Sequence, residues 1–156
     1  MSRMLSASDA IRHKEELVEL FSYCKLISTG ELPEREFCER KIDELITYLS
    51  DGKAYLFAQA IDGRLVGFLW ACRIMREQGE RFHTLYVAVS EQAQGGGIGS
   101  LLLSLAEDTA RALSIDTSEL NVHYHNEKAR NFYEKRGYVA EGKPSAERIT
   151  LVKKLF

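Results

Sequence analysis

The chain is short of most features that would place it in a specialised class. Its three cysteines, Cys24, Cys38 and Cys72, are odd in number and form no Cys-x-x-Cys pair, which argues against a disulfide scaffold and against a thiolate zinc site. That usage fits a reduced, cytoplasmic protein, and the segment after Met1 holds no apolar signal region, so export is not expected. Only two prolines occur, Pro33 and Pro144, both in polar surroundings that read as loops. Apolar runs such as 65–72 fall far short of the roughly 20 residues that span a bilayer. An excess of one charge is missing too: 21 basic and 23 acidic residues leave a formal net charge of -2, with no basic stripe, which removes nucleic acid and anionic membranes as expected partners. What remains is 156 residues, 45% of them hydrophobic, enough for one buried core. Residues 1–156 therefore read as a single domain.

Hydrophobic spacing gives the element order. Leu17, Leu20, Phe21, Cys24 and Ile27 form a helical stripe over about 8–27, with Ser8 or Asp9 as its cap. After a connection at 28–32, Phe37, Ile42, Leu45, Ile46 and Leu49 mark a second helix over 33–49. The period then shortens to that of strands, at 54–61 and 64–74, around an Asp62-Gly63 hairpin turn, and again at 81–89. A helix opens near Gly97 with Ile98, Leu101, Leu102, Leu105 and Leu113 on its core face. A strand near 119–122, a helix over 126–136 stopped by Gly137, and strands at 138–141 and 148–155 complete the chain, and a short strand near 3–6 precedes it. The class is α/β, of the α+β kind.

The run Gln94-Gly95-Gly96-Gly97-Ile98-Gly99-Ser100 sits between the third strand and the helix that follows. Glycines without Cβ let a bulky anion approach the main chain, and a helix start adds unpaired amides and the positive end of its dipole, so the turn reads as a phosphate site. A nucleotide triphosphate loop would need a lysine, and none lies between Lys53 and Lys128. A dinucleotide fingerprint begun at Gly95 would place its third glycine at Ser100, and the next strand ends in His123, Tyr124 and His125 rather than in an acid. A third form, Gln/Arg-x-x-Gly-x-Gly/Ala, is met by Gln94, Gly97 and Gly99. Downstream, Asn126, Ala129, Phe132, Tyr133, Gly137 and Tyr138 satisfy a second pattern, Asn-x-x-Ala-x-x-Phe/Leu-Tyr-x-x-x-Gly-Phe/Tyr.

On these two motifs the chain resembles the GNAT superfamily of N-acetyltransferases. The resemblance implies a mixed central sheet of six to seven strands flanked by about four helices, with the fourth and fifth strands splayed. It implies acetyl-CoA as cosubstrate and no metal. Its pyrophosphate would lie on Gln94, Gly95, Gly96, Gly97, Ile98, Gly99 and Ser100, and its pantetheine arm along the main chain of Val87, Ala88 and Val89. Asn126 and Tyr133 would also touch it, with Lys128 or Arg130 near the phosphates. The implied reaction moves acetyl from acetyl-CoA to a primary amine of a small molecule or peptide, directly within a ternary complex, with Tyr133 protonating the thiolate. A non-catalytic acyl-CoA-binding module with the same fold is the alternative.

The base is less evident from the family pattern. Many relatives carry a glutamate on the fourth strand, whereas 81–89 has none; Glu80 precedes it and His83 lies within it. Counted simply, His83 shares parity with Leu85, Val87 and Val89, and its ordinary pKa of about 6.5 suits a base. His123 and His125 form a His-x-His pair that could ligate zinc, yet a place at the mouth of the site fits them better. In this fold the acceptor cleft is bordered by loops that here are 28–35 and 142–148. Their Glu31, Glu34 and Glu147, with Glu141, could attract a cationic amine. An exposed face over 151–156 could support a homodimer.

Overall fold

A computed structural model describes residues 2–145 and 147–156. After strand β1 (Ser2–Leu5) come helices α1 (Ala7–Arg12), α2 (Lys14–Thr29) and α3 (Arg35–Ser50). The single helix expected over 8–27 is thus two, and its cap is neither Ser8 nor Asp9. Ser6 is the cap: its hydroxyl accepts the Asp9 N–H at 3.2 Å, while the Asp9 carboxylate accepts the Ser6 N–H at 3.0 Å. The chain leaves helical geometry at His13 (φ -104°, ψ 19°). There the imidazole meets Glu16, whose other carboxylate oxygen accepts the Leu65 N–H at 2.5 Å and ties α2 to the sheet.

The remaining elements are β2 (Tyr55–Ile61), β3 (Arg64–Arg76), β4 (Gly79–Val89), a 3-10 turn (Glu91–Ala93), α4 (Ile98–Ala112), β5 (Thr117–His123), α5 (Glu127–Glu134), β6 (Val139–Ser145) and β7 (Arg148–Lys154). The Asp62-Gly63 turn has φ of 52° and 78°, the paired positive values of the hairpin its sequence signals. The seven strands form one sheet, ordered β1-β2-β3-β4-β5-β7-β6. Among the described residues only β4 and β5 run parallel, and every other pair is antiparallel. Pro144, expected in a loop, lies in β6 at the sheet's edge, where a missing N–H costs no ladder bond. β7 is flanked on both sides, and its Leu151 and the following Leu155 are buried. In 151–156 only Phe156 is left as a large exposed apolar group.

Two cores cover the two faces of the sheet. On one, α2 and α3 bring Phe21, Ile42 and Leu45 against Phe68, Trp70 and Ala88. On the other, α4 and α5 bring Leu102, Leu103 and Tyr133 against Leu69, Phe82, Leu120 and Ile149. Leu101, expected on the inner face of α4, is instead 46% exposed, and Leu102, Leu103, Ala106 and Ala110 supply the buried stripe. No helix among the described residues is long and apolar enough to cross a membrane.

A polar knot fastens the second core. The Tyr138 hydroxyl donates to Glu107 Oε2 at 2.9 Å, so its 2.7 Å bond with Ser118 must be donated by the serine. Lys153 Nζ bonds the other oxygen of Glu107 at 3.0 Å. Tyr138→Phe would leave the Ser118 hydroxyl and one buried carboxylate oxygen without their partner, which is expected to lower stability in urea unfolding by about 1–3 kcal/mol. A change under about 0.5 kcal/mol would mean that water enters and replaces the phenol.

Candidate functional site

β4 and β5 pair only through Phe82↔Ser118, His83↔Glu119 and Thr84↔Leu120, although both strands continue. The cause lies in β4 itself. Against β3, Thr84 pairs with Ala71 and Tyr86 with Trp70, which leaves Leu85 as an extra residue. Such a bulge bends its strand and increases the local twist, here immediately after the last paired residue, so β4 turns away from β5. It also reverses side-chain parity. His83 lies on the α2 face with Tyr86 and Ala88, opposite to Val87 and Val89, so the parity counted from sequence is wrong by this one residue.

The bend leaves β4 main-chain groups without a sheet neighbour. Ser90 N–H donates to Val66 O, which fixes the alternation: Val87 and Val89 point their N–H and C=O groups away from β3, toward the gap. Two side chains already reach those carbonyls. The Cys24 thiol bonds Val87 O at 3.4 Å, and the Gln94 amide bonds Val89 O at 3.3 Å and the Tyr23 hydroxyl at 3.0 Å. Burial pushes the Cys24 thiol up in pKa, so it is a weak donor and not a thiolate.

The gap is part of a cleft of about 710 Å³ that runs through the sheet. Of the residues singled out from sequence, His83, Val87, Ala88, Val89, Gln94, Gly95, Gly97, Ile98, Gly99, Ser100, Asn126 and Tyr133 all line it. Gly96 does not; it faces a separate depression bordered by Gln59, Ile61 and Leu101. Gly97 caps α4 at φ 78°, a conformation that side chains resist, and no side chain caps the amides that follow. Ile98, Gly99 and Ser100, which carry those uncapped amides, line the cleft. Arg136, unmarked in the sequence reading, stands beside them: it donates to Ser100 Oγ at 3.0 Å and to Phe132 O at 2.7 Å, and lies 3.6 Å from the centre of the Phe132 ring. Lys128 also lines the cleft, whereas Arg130 is engaged by Tyr124 O at 3.2 Å. Asn126 caps α5 through its Oδ1, at 3.1 Å from Ala129 N. A turn of free amides, an added guanidinium and an unpaired strand edge suit a diphosphate joined to an amide-bearing arm.

Two titratable groups line the cleft from opposite faces of the sheet. Tyr133 comes from the α4–α5 side and is 9% exposed; burial raises its phenol well above the ordinary tyrosine pKa, so it keeps its proton. His83 comes from the α2 side. Its Nδ1 lies 3.2 Å from Glu119 Oε1, a carboxylate 1% exposed that also takes bonds from Arg76 at 2.9 Å and Arg81 at 3.2 Å. Burial lowers the His83 pKa, against the opposing pull of Glu119. Burial works to raise Glu119, but its bonds to Arg76 and His83 outweigh that and hold it ionised. In the neutral imidazole Nδ1–H then donates to Glu119, leaving Nε2 as the acceptor. Glu119 escaped sequence reading because its approach to His83 depends on the parallel β4–β5 register. Glu80, the other carboxylate considered, is held by Arg73 at 2.7 and 2.9 Å and does not line the cleft.

The acidic residues expected at the acceptor side stand outside the cleft lining. Glu141 pairs with Arg81 at 2.6 and 2.8 Å, Glu147 lies 3.3 Å from His123 Nε2, and Glu31 and Glu34 are exposed; none lines the cleft. His123 and His125 have rings 5.7 Å apart, and no group of three potential metal ligands occurs among the described residues.

Residues 15–138 match the family model described as the acetyltransferase (GNAT) family. The mycothiol acetyltransferase of Streptomyces griseus is 33% identical over 110 residues, which are 70% of this chain but only 33% of that relative, so the chain spans about a third of its length. Among solved structures, the paia N-acetyltransferase from Thermoplasma acidophilum, in complex with coenzyme A, superposes with a TM-score of 0.76 over 99% of both chains at 21% identity. An aminoglycoside 6'-acetyltransferase type Ii superposes with 0.79 over 100% of this chain and 97% of its own, at 18% identity. The chain therefore belongs to the GNAT family of acetyltransferases.

Proposed function

We propose that the protein transfers an acetyl group from acetyl-CoA to a primary amine within a ternary complex. The observation that carries this reading is the split β4–β5 pair, which opens next to a helix start with free amides and holds an acid and a base on opposite faces. The Ile98, Gly99 and Ser100 amides, with Arg136 and Lys128, would hold the pyrophosphate, and the Val87 and Val89 main chain would pair with the pantetheine amides. A main-chain N–H aimed at the thioester oxygen would be worth about 3 kcal/mol as negative charge develops there.

Transfer makes a C–N bond and breaks a C–S bond, and it moves two protons. The attacking amine must lose one, and His83 Nε2 on the α2 face is suited to take it. The departing thiolate must gain one, and Tyr133 on the other face is suited to give it, since burial keeps the phenol protonated. A base on one face and an acid on the other keep the two proton transfers apart, one at the amine that adds to the carbonyl and one at the sulfur that leaves the tetrahedral intermediate.

The lowered pKa of His83 fixes a sign. Below it the imidazole is protonated and cannot accept, so kcat/KM should show an acidic limb with a pKa under the ordinary 6.5 or so, followed at higher pH by a separate rise as the acceptor ammonium loses its proton. In His83→Ala this acidic limb should vanish and kcat/KM should fall at least tenfold at pH 7. Retention of the same limb in the variant would assign the base to another group.

A further inference from the structure

We propose that the acceptor amine carries a carboxylate, which Arg148 binds with Lys25 in support; this rests on the acetyl-transfer reading and names the substrate class of the same cleft. Four charged side chains line the cleft, Lys25, Lys128, Arg136 and Arg148, and all four are cations. No aspartate or glutamate lines it, and none of the four is ion-paired with a carboxylate among the described residues.

Strand register divides these cations between the two mouths. Arg136 and Lys128 belong to the α4–α5 side, where Arg136 touches Ser100 at the glycine turn. They answer to the phosphates of the cofactor. Arg148 lies on the other face. It pairs with His123 across β5 and β7, while the neighbouring pair Ile149↔Val122 points into the α4-side core. Alternation therefore puts Arg148 and His123 with Asn121 and Glu119 on the face of His83. Lys25 comes to that face from α2. Of the carboxylates near this mouth, Glu119 and Glu141 are paired with arginines, while Glu147, 3.3 Å from His123 Nε2, stays exposed at the rim and does not line the cleft.

An unpaired guanidinium on the same face as the base, in a cleft lined by no acid, attracts an anion and repels a polycation. Arginine's planar fork matches a carboxylate by two parallel bonds, which would anchor the acceptor at the mouth on the His83 face. Free amino acids and short peptides or conjugates with a nearby carboxylate fit this chemistry, while polyamines and aminoglycosides do not.

The test uses matched pairs, amino acids and their carboxamides with the same side chains, beside spermidine and kanamycin. With acetyl-CoA, kcat/KM is expected to favour the carboxylate member at least tenfold. Arg148→Gln should cut that carboxylate-to-carboxamide ratio at least tenfold without moving KM for acetyl-CoA. Equal turnover of both members, or better turnover of spermidine or kanamycin, overturns the anionic acceptor site and leaves acetyl transfer standing. Titration of the same pairs into protein saturated with coenzyme A reads the preference without chemistry. A carboxylate preference in binding that Arg148→Gln abolishes, with no turnover, supports the site while overturning the transfer reading. Equal binding of the two members, or binding of neither, overturns the site.

Discussion

Tyr133→Phe is expected to lower kcat about a hundredfold, equivalent to about 2.7 kcal/mol in the barrier, while leaving acetyl-CoA affinity within about twofold. The reasoning starts from what the substitution keeps. The ring of Tyr133 packs edge-on against Phe132 and Tyr138, at 5.1 and 5.6 Å between centroids, and phenylalanine retains both contacts. No hydrogen bond from its hydroxyl stabilises the fold among the described residues, unlike the hydroxyl of Tyr138. What is lost is a buried proton donor that lines the cleft. The thiolate would then leave without a positioned acid. A thiolate is a tolerable leaving group, so the loss should sit near the lower end of the range for acid catalysis. Acceptors of lower basicity should show it most. A variant that folds, binds acetyl-CoA and turns over at the parent rate would remove Tyr133 from the chemistry and leave it a core aromatic.

Gly97→Val is expected to raise the acetyl-CoA dissociation constant at least tenfold, about 1.4 kcal/mol or more. Valine at φ 78° is strained by its branched Cβ, so the turn must change course and carry the Ile98, Gly99 and Ser100 amides away from their common direction. No heavy atom stands within 4 Å of the position its Cβ would take, so the effect is one of backbone conformation and not of collision with the core. Gly96 supplies the control. It has no positive φ, its Cβ would meet only Ala93 O at 3.5 Å, and it faces away from the cleft. Gly96→Ala should bind acetyl-CoA within about twofold of the parent. If the two variants weakened binding equally, general loosening of the turn would explain the result and the assigned phosphate seat would fail.

Local signals carried much of this structure, and non-local ones set its details. The glycine run, the Asp62-Gly63 turn and the Asn126 to Tyr138 motif are each contained within a few residues, where backbone preference and spacing act directly. The splay of β4 from β5 was available only through the family resemblance, because its cause, the extra residue at Leu85, is a relation between two strands. That same residue reversed the parity of His83, which no count along one strand could reveal. Glu119 lies within a segment correctly read as a strand, yet its partnership with His83 exists only once the β4–β5 register is set. The pairing of Glu141 is hidden for a similar reason: Arg81, 60 residues before it in the chain, takes that carboxylate. Short-range chemistry is legible in sequence, while the sign of the charge facing a substrate depends on which distant residues pair first.

The most direct measurement is thiol release from acetyl-CoA by the purified protein, followed together with formation of the acetylated amine, across amino acids, peptides, polyamines and aminoglycosides. Stoichiometric release and acetylation with one amine class, lost together in Tyr133→Phe, is the result expected. Tight acetyl-CoA binding with no acetylated product from any class would contradict acetyl transfer and make the chain an acyl-CoA-binding module.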